Sequence, residues 1–330
     1  MSLKIGVIGA GISSALFSNL VKDVAQVEVF EKSRGTGGRL ARHLAQGFNF
    51  DIGCQDIILP SSCAPNIVHK AVVENALLPW KPTFRSLSDQ DDKKNINLED
   101  IACYCGNGNM NQFVKWAFDD TKITFQTKII ELSSNSGAWF LHSDRGKQYG
   151  PFDIVVLSCP APQVMMLTQA FNDELNKVKY DSCLVINLGL NNALPPEIPE
   201  VIKSEKTLAR WIIQSHLKPN LKSKPGLTIQ SKPLDYFNLS KNKEHISKEM
   251  IKEIVAIIGN DFRIEYKNEH IWRYSRCIRP IDTSLLYKNN ISNRIRTLLY
   301  KTKIINFRNT QQKPIKIVCI PTCFLTKLQA

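Results

Sequence analysis

An α/β fold is what this sequence predicts, on three observations. Residues 3–8, Leu-Lys-Ile-Gly-Val-Ile, read as a short buried strand. Ile12, Leu16, Leu20 and Val21 then recur at helical spacing, and Gln26-Val27-Glu28-Val29-Phe30-Glu31 is a second strand ending on an acid. Between the first strand and the helix stands Gly9-Ala10-Gly11-Ile12-Ser13-Ser14, a G-x-G-x-x-G pattern with serine in the last glycine's place. Strand, glycine turn, helix, strand, acid is the order of a nucleotide-binding βαβ crossover, so a Rossmann-like domain is expected.

Each position has a mechanical reason. Gly9 allows the tight turn, and Gly11 lets the main chain approach a diphosphate with no Cβ in the way. Ser14 is small enough for the helix to pack closely on the strand. The N–H groups at Ile12, Ser13 and Ser14 and the positive end of the helix dipole suit phosphates. Glu31, twenty-two residues after Gly9, is placed to accept hydrogen bonds from a ribose, and an acid there favours a free ribose hydroxyl over a 2′-phosphate. The chain continues as Glu31-Lys32-Ser33-Arg34-Gly35-Thr36-Gly37-Gly38-Arg39. Its glycines permit close passage by a ligand, and Arg39 is a fixed cation suited to a diphosphate. Taken alone it would be an ordinary glycine-rich surface turn.

Further along, residues 82–99 read as a solvated loop rich in Ser, Asp, Lys and Asn. Residues 122–132 read as a strand carrying Ile123, Phe125, Ile129 and Ile130. Trp139–His142 pairs as a hairpin across Ser143-Asp144-Arg145-Gly146. Ile154–Leu157 is a buried strand stopped by Pro160-Ala161-Pro162. Pro160 is either a plain strand-terminating turn or part of a ligand mouth at the sheet's carboxyl end. Ser182–Leu190 reads as a strand of a second, antiparallel layer, and residues 191–206 as a proline-bearing loop. Ile246, Met250, Ile251, Ile254, Val255 and Ile258 mark an amphipathic helix closed by Gly259.

Several blocks resemble a known family. The E-x-x-x-x-x-G-G-R continuation at 31–39 is typical of the FAD-dependent amine-oxidase superfamily. FDIGCQD (50–56), YCGNGNMNQFVKWA (104–117), GAWFLHSDRGKQYGPFDIVVLSCPAPQ (137–163) and EHIWRYSRCIRP (269–280) are similar to ordered blocks of its renalase-like branch of NAD/FAD-dependent oxidoreductases. The resemblance covers roughly residues 1–285. It implies a Rossmann-like FAD-binding domain made of 1–60, 100–165 and, as a further candidate, 284–330. Inserted in it would be a substrate domain with a mixed or antiparallel sheet, from 61–99 and 166–283. It implies that the 50–56 segment passes near the flavin and that Ile129 and Ile130 give main-chain contacts to adenine. Trp211, Trp272 and Tyr274 either line the pocket over the flavin or pack as ordinary core.

The expected cofactor is FAD. The expected binding set is Gly9, Gly11, Ile12, Ser13, Ser14, Glu31, Lys32, Gly38, Arg39, Gln55, Asp56, Ile129, Ile130 and Pro160. No catalytic residue is singled out, because in such proteins the flavin performs the chemistry. The implied reaction takes a hydride from a small donor, a dihydronicotinamide isomer or an amine, and passes electrons to oxygen or another acceptor. A nicotinamide dinucleotide is among the expected partners; nucleic acid and membrane are not.

Two departures stand out. Related sequences carry an aromatic residue where this chain has Asp56, and a carboxylate there would disfavour an anionic reduced flavin unless turned away or protonated. The late G-D motif of such flavoproteins is also missing, since no glycine follows Gly259. The last 45 or so residues match nothing in the family and read like an eroded or out-of-frame terminus. A degenerate, non-catalytic relative is therefore the alternative.

Composition narrows the rest. The formal net charge is +13, yet no acidic residue follows Asp282, and nine Lys and Arg lie beyond it. The basic character thus belongs to the tail, and a solvated charge run is its plain reading. Nine cysteines without a C-x-x-C pair fit a reducing compartment, and neither they nor the six scattered histidines suggest a metal site. No apolar run is long enough to span a bilayer, and glycines interrupt the first apolar stretch, so a cytoplasmic protein is expected.

Overall fold

The structure, a computed structural model, describes residues 2–60, 65–87, 101–280, 286–289 and 315–319. In chain order its elements begin β1 (Leu3–Ile8), α1 (Ile12–Val21), β2 (Ala25–Phe30), β3 (Arg42–Ala45), β4 (Phe48–Asp51), β5 (Ile57–Pro60), α2 (Asn66–Val73), β6 (Leu77–Pro79) and β7 (Phe84–Leu87). They continue as β8 (Ile101–Gly106), α3 (Met110–Phe118), β9 (Lys122–Thr124), β10 (Ile129–Asn135), β11 (Ala138–Ser143), β12 (Gln148–Phe152), β13 (Ile154–Leu157), α4 (Ala161–Met165) and α5 (Asn172–Leu175). The last are β14 (Lys179–Leu190), β15 (Val201–Ser204), β16 (Ala209–Gln214), β17 (Gly226–Ser231), α6 (Tyr236–Ile258), β18 (Ile264–Arg279), β19 (Leu286–Asn289) and β20 (Ile315–Cys319). No helix among the described residues is long and apolar enough to cross a membrane.

The chain divides into two compact units. The first takes Met1–Gly38, Val114–Lys179 and Cys277–Lys327. Its main sheet has the order β19-β20-β13-β1-β2-β9, with β20, β13, β1, β2 and β9 all parallel. Val7, Val29, Val155, Val156 and Leu157 are fully buried in it, the apolar run expected of parallel strands covered on both faces. From β1 the chain crosses to β2 on one side, while β13 lies on the other, so the strand order reverses at the carboxyl end of β1. Ligands enter open α/β sheets at such a point. A separate antiparallel sheet, β10-β11-β12, holds the expected hairpin across Ser143-Asp144-Arg145-Gly146 as the β11–β12 pair.

The second unit contains Arg39–Phe113 and Tyr180–Arg276. Its main sheet has the order β18-β14-β17-β16-β15-β7; β14–β17, β17–β16 and β16–β15 pair antiparallel and β15–β7 in parallel. Leu184, Ile186, Leu188, Ile212, Leu227 and Ile229 form a dry layer with Ile246, Met250 and Ile254 of α6. The sequence reading placed 39–60 and 100–113 with the nucleotide domain; here those residues fold with the antiparallel unit.

Three expectations are corrected. Residues 122–132 are not one strand: β9 and β10 belong to different sheets. Gln126, in the left-handed region at φ 52°, turns the chain. Gln126 N and Thr127 N then donate to Ser33 O and Glu31 O at 3.0 and 2.9 Å. Residues 84–87 and 201–204, read as loop, form β7 and β15 and pair in parallel, because cross-strand hydrogen bonds override weak local propensity; residues 88–99 lie outside the described residues. Helix α6 starts at Tyr236, before the apolar repeat, with the Asp235 carboxylate capping Asn238 N at 2.9 Å.

Candidate functional site: a glycine mouth and a pinned loop

In the first unit, the mouth at the end of β1 is built from the main chain. Gly9 has φ +101°, a left-handed conformation that favours glycine, and a Cβ there would lie 3.1 Å from Ser158 Oγ. Its N–H donates to Phe30 O at 2.9 Å, fastening the turn to β2. Ser14 does more than stay small. Its buried hydroxyl lies 2.6 Å from Gly9 O and 2.8 Å from Gly11 O, so it ties both turn carbonyls. Ser158 Oγ reaches Ile8 O and Gly9 O at 3.0 and 3.1 Å, joining the ends of β1 and β13.

Gly11 is different. Its φ of −89° suits any residue, and a Cβ built on it meets nothing within 4 Å. Neither backbone nor packing requires glycine here; only something approaching from outside would. No side chain caps the first turn of α1, so its leading N–H groups stay open to an incoming acceptor. Gly37 closes the other side, donating from its N–H to Ala10 O at 2.9 Å and bridging Gly11. Gly38 comes so close that a Cβ would sit 3.4 Å from Gly11 Cα.

Glu31 is buried beside this turn. One carboxylate oxygen accepts from Ala10 N at 2.8 Å and the other from Ser33 N at 2.8 Å. Each oxygen keeps a second lone pair for another donor. Lys32 is exposed. Cys159 is half-buried, and burial pushes its thiol up to about 12, opposed in part by Lys32. Pro160 is the N-cap of α4, its carbonyl accepting from Gln163 N at 2.8 Å. Ile129 is buried, whereas Ile130 is 49% exposed. The pairing of β10 with β11 skips Ile130, a bulge that leaves it without a cross-strand partner.

In the second unit, residues 52–56 form the loop between β4 and β5, fastened by several hydrogen bonds. Trp272 Nε1 donates to Ile52 O at 2.6 Å, and Gln55 Nε2 to Asp51 O and Gly53 O at 2.6 and 3.0 Å. Cys54 N donates to Arg39 O at 2.8 Å, and a Cβ on Gly53 would collide with that same carbonyl. The Arg39 guanidinium donates to Ser275 O at 3.1 Å. Trp211 is half-buried with the Lys203 ammonium over its ring, and Tyr274 packs edge-on against Tyr180.

The anchor of the loop is Lys218, which sequence reasoning missed. Its side chain is 1% exposed, and its Nζ lies 2.8 Å from each of Asp51 Oδ2, Gln55 O and Gln55 Oε1. Asp51 Oδ1 accepts from Met110 N at 2.9 Å. That bond joins the 50–56 and 104–117 blocks, which the sequence quotes separately. Nothing in His216-Leu217-Lys218-Pro219 signals a buried cation; Asp51 lies within the quoted motif. Asp56, at the loop's end, is half-buried. Burial pushes its carboxyl above the ordinary range, with Lys218 opposing and Asp51 adding. The described residues contain no group of three or more His, Cys, Asp or Glu that could hold a metal ion.

Residues 7–70 match the family model of an NAD(P)-binding Rossmann-like domain. A 4,4'-diapophytoene desaturase (4,4'-diaponeurosporene-forming) of Staphylococcus haemolyticus is 35% identical over 75 residues. That match spans 22% of this chain and only 14% of the desaturase. Among solved structures, a protein provisionally assigned as a protoporphyrinogen oxidase of Exiguobacterium sp. 255-15 is similar at a TM-score of 0.64 and 10% identity, over 92% of each chain. A reduced UDP-galactopyranose mutase is similar at 0.64 and 11% identity, over 91% of this chain and 87% of the other. A putrescine oxidase redesigned in its cofactor binding gives 0.61 and 10%, over 82% and 85%. At these identities the likeness is one of fold.

Proposed function

We propose that this chain is an FAD-dependent oxidoreductase whose first unit holds the dinucleotide at the Gly9–Ser14 turn. The observation that carries the reading is Gly11, a glycine that neither its own dihedrals nor its neighbours demand. The relatives in sequence and fold — the desaturase, the putrescine oxidase and the mutase — are FAD-binding flavoproteins, which supports FAD over other dinucleotides.

The uncapped first turn of α1 would take the diphosphate on the N–H groups around Ile12, Ser13 and Ser14, aided by the helix dipole. Glu31, already fixed by two main-chain amides, would accept from ribose hydroxyls with its spare lone pairs and repel a 2′-phosphate. Gly38 keeps the second wall of the mouth thin. Lys32, Ile129, Ile130 and Pro160, which belong to the same unit, would border that mouth. Bound FAD supplies hydride acceptance; the chain's own part is to bind, orient and exclude water. The donor would be a small molecule, a dihydronicotinamide isomer or an amine, and the final acceptor oxygen or another oxidant.

The test is an absorption spectrum of the purified protein before and after adding FAD. Visible flavin bands that survive gel filtration are expected. Their absence, with no uptake of added FAD, would defeat the proposal. A second reading, a binding protein without turnover, is favoured by one observation, the carboxyl at Asp56. Retention of FAD with no reduction by either class of donor would establish it.

A further inference from the structure

The first unit carries a second cleft, at the other end of its parallel sheet. The cleft holds about 630 Å³ and opens beside the starts of β1, β2 and β9, with every lining residue in that unit. A strand's length, roughly 17 Å, separates it from Gly9. Its most buried lining residues are Ser18, Phe118 and Phe152. Among the described residues Ser18 Oγ is buried with no hydrogen-bond partner. One turn earlier on α1, the hydroxyl of Ser14 ties two carbonyls; that of Ser18 ties none. A hydroxyl both donates and accepts, and a buried one left unpaired costs stability that alanine would not. Its place on the cleft points to an occupant that pairs with it.

The charges around the cleft select the sign of that occupant. Helices α1 and α3 both end here, at Val21 and Phe118, so two negative helix ends meet it. Of the lysines on its rim, Lys22 is engaged with Asp119 at 2.8 Å and Lys122 with Glu28 at 2.9 Å. The exposed carboxylates of Asp23 and Asp120 have no partner among the described residues, and neither has the ammonium of Lys4. Two carboxylates thus stand open against one ammonium. No group of three or more His, Cys, Asp or Glu among the described residues could hold a metal ion, and the volume is that of an organic molecule. We propose that this cleft binds a small organic cation, a guanidinium or primary ammonium, whose N–H groups donate to Ser18 Oγ and to the Asp23 and Asp120 carboxylates. The Lys4 ammonium suits a carboxylate at the ligand's other end, which makes basic amino acids the fitting class. The proposal does not rest on the flavoenzyme reading.

The test is a calorimetric titration of the whole purified chain at low salt with L-arginine and L-lysine, and with L-glutamate as control. One of the two basic amino acids should bind saturably with a Kd below about 1 mM, and glutamate should not. Ser18→Ala removes an unpaired buried hydroxyl, so its thermal midpoint should hold or rise while affinity for the basic amino acid falls about tenfold. Asp23→Asn combined with Asp120→Asn leaves the Lys22–Asp119 and Lys122–Glu28 pairs in place and should weaken binding about tenfold as well. Binding that is absent, matched by glutamate, or unchanged in either variant overturns the proposal. Saturating FAD should leave the affinity as it is, because the glycine mouth lies at the opposite end of β1; competition between the two would overturn the placement. A chain that takes up no FAD yet binds the basic amino acid overturns the flavoenzyme reading and leaves this one standing.

Discussion

Gly9 and Gly11 are two glycines with different reasons, and they should fail differently. Gly9→Ala forces a side chain onto a left-handed backbone against Ser158 Oγ, which costs about 1–3 kcal/mol and lowers the thermal midpoint. Gly11→Ala enters open space at an ordinary φ, so stability should rise slightly or hold, by about 0.4–1 kcal/mol. Its FAD affinity should fall at least tenfold, about 1.4 kcal/mol, as fluorescence titration would read. Lys218→Met should cost about 3–5 kcal/mol, since it strands Asp51 without a partner in the interior. Lys218→Met with Asp51→Leu should recover much of that loss in a double-mutant cycle read by denaturant melts. Spacing made the crossover residues legible: Gly9, Gly11, Ser14 and Glu31 all meet at one turn, and even the hydroxyl of Ser14 has work that its size alone did not suggest. Lys218 was invisible because its partners lie more than 160 positions away, and no local pattern encodes a long-range ion pair.

At the scale of elements, period and chemistry spoke clearly where burial is one-sided or complete. β1, α1, β2, β13 and β14 fall where the apolar pattern puts them. The short edge strands β7 and β15 did not show, because their pairing partner, not their composition, makes them strands. The break between β9 and β10 escaped notice for a similar reason, being imposed by hydrogen bonds from the loop after β2. The antiparallel unit also carries His43, His216 and His270, each held below the ordinary imidazole range chiefly by burial. Among the described residues His216 Nε2 is buried with no partner, so a second ring proton would find no acceptor there. A histidine lowered in the folded state contributes stability above its unfolded value of 6.5 and loses it as pH falls. The thermal midpoint should therefore drop as pH goes below about 6.5, and His216→Gln should flatten that descent.

For the whole molecule, the informative feature is the basic tail. Read as sequence it matched nothing, yet β20 pairs in parallel with β13 and β19 pairs with β20. Without them β13, buried along its whole length, becomes an uncovered apolar edge. A chain ending at residue 283 should express mostly as aggregate, by light scattering and sedimentation, even with FAD supplied. There is a further consequence in time. The parallel sheet draws on residues 3–30, 122–124, 154–157 and 315–319, so β13 leaves the ribosome some 160 residues ahead of its neighbour. At about 5–20 residues per second that interval is roughly 8–30 s. Through it the nascent chain carries an open ladder, which makes this a protein whose yield should depend on chaperones and on the pace of translation.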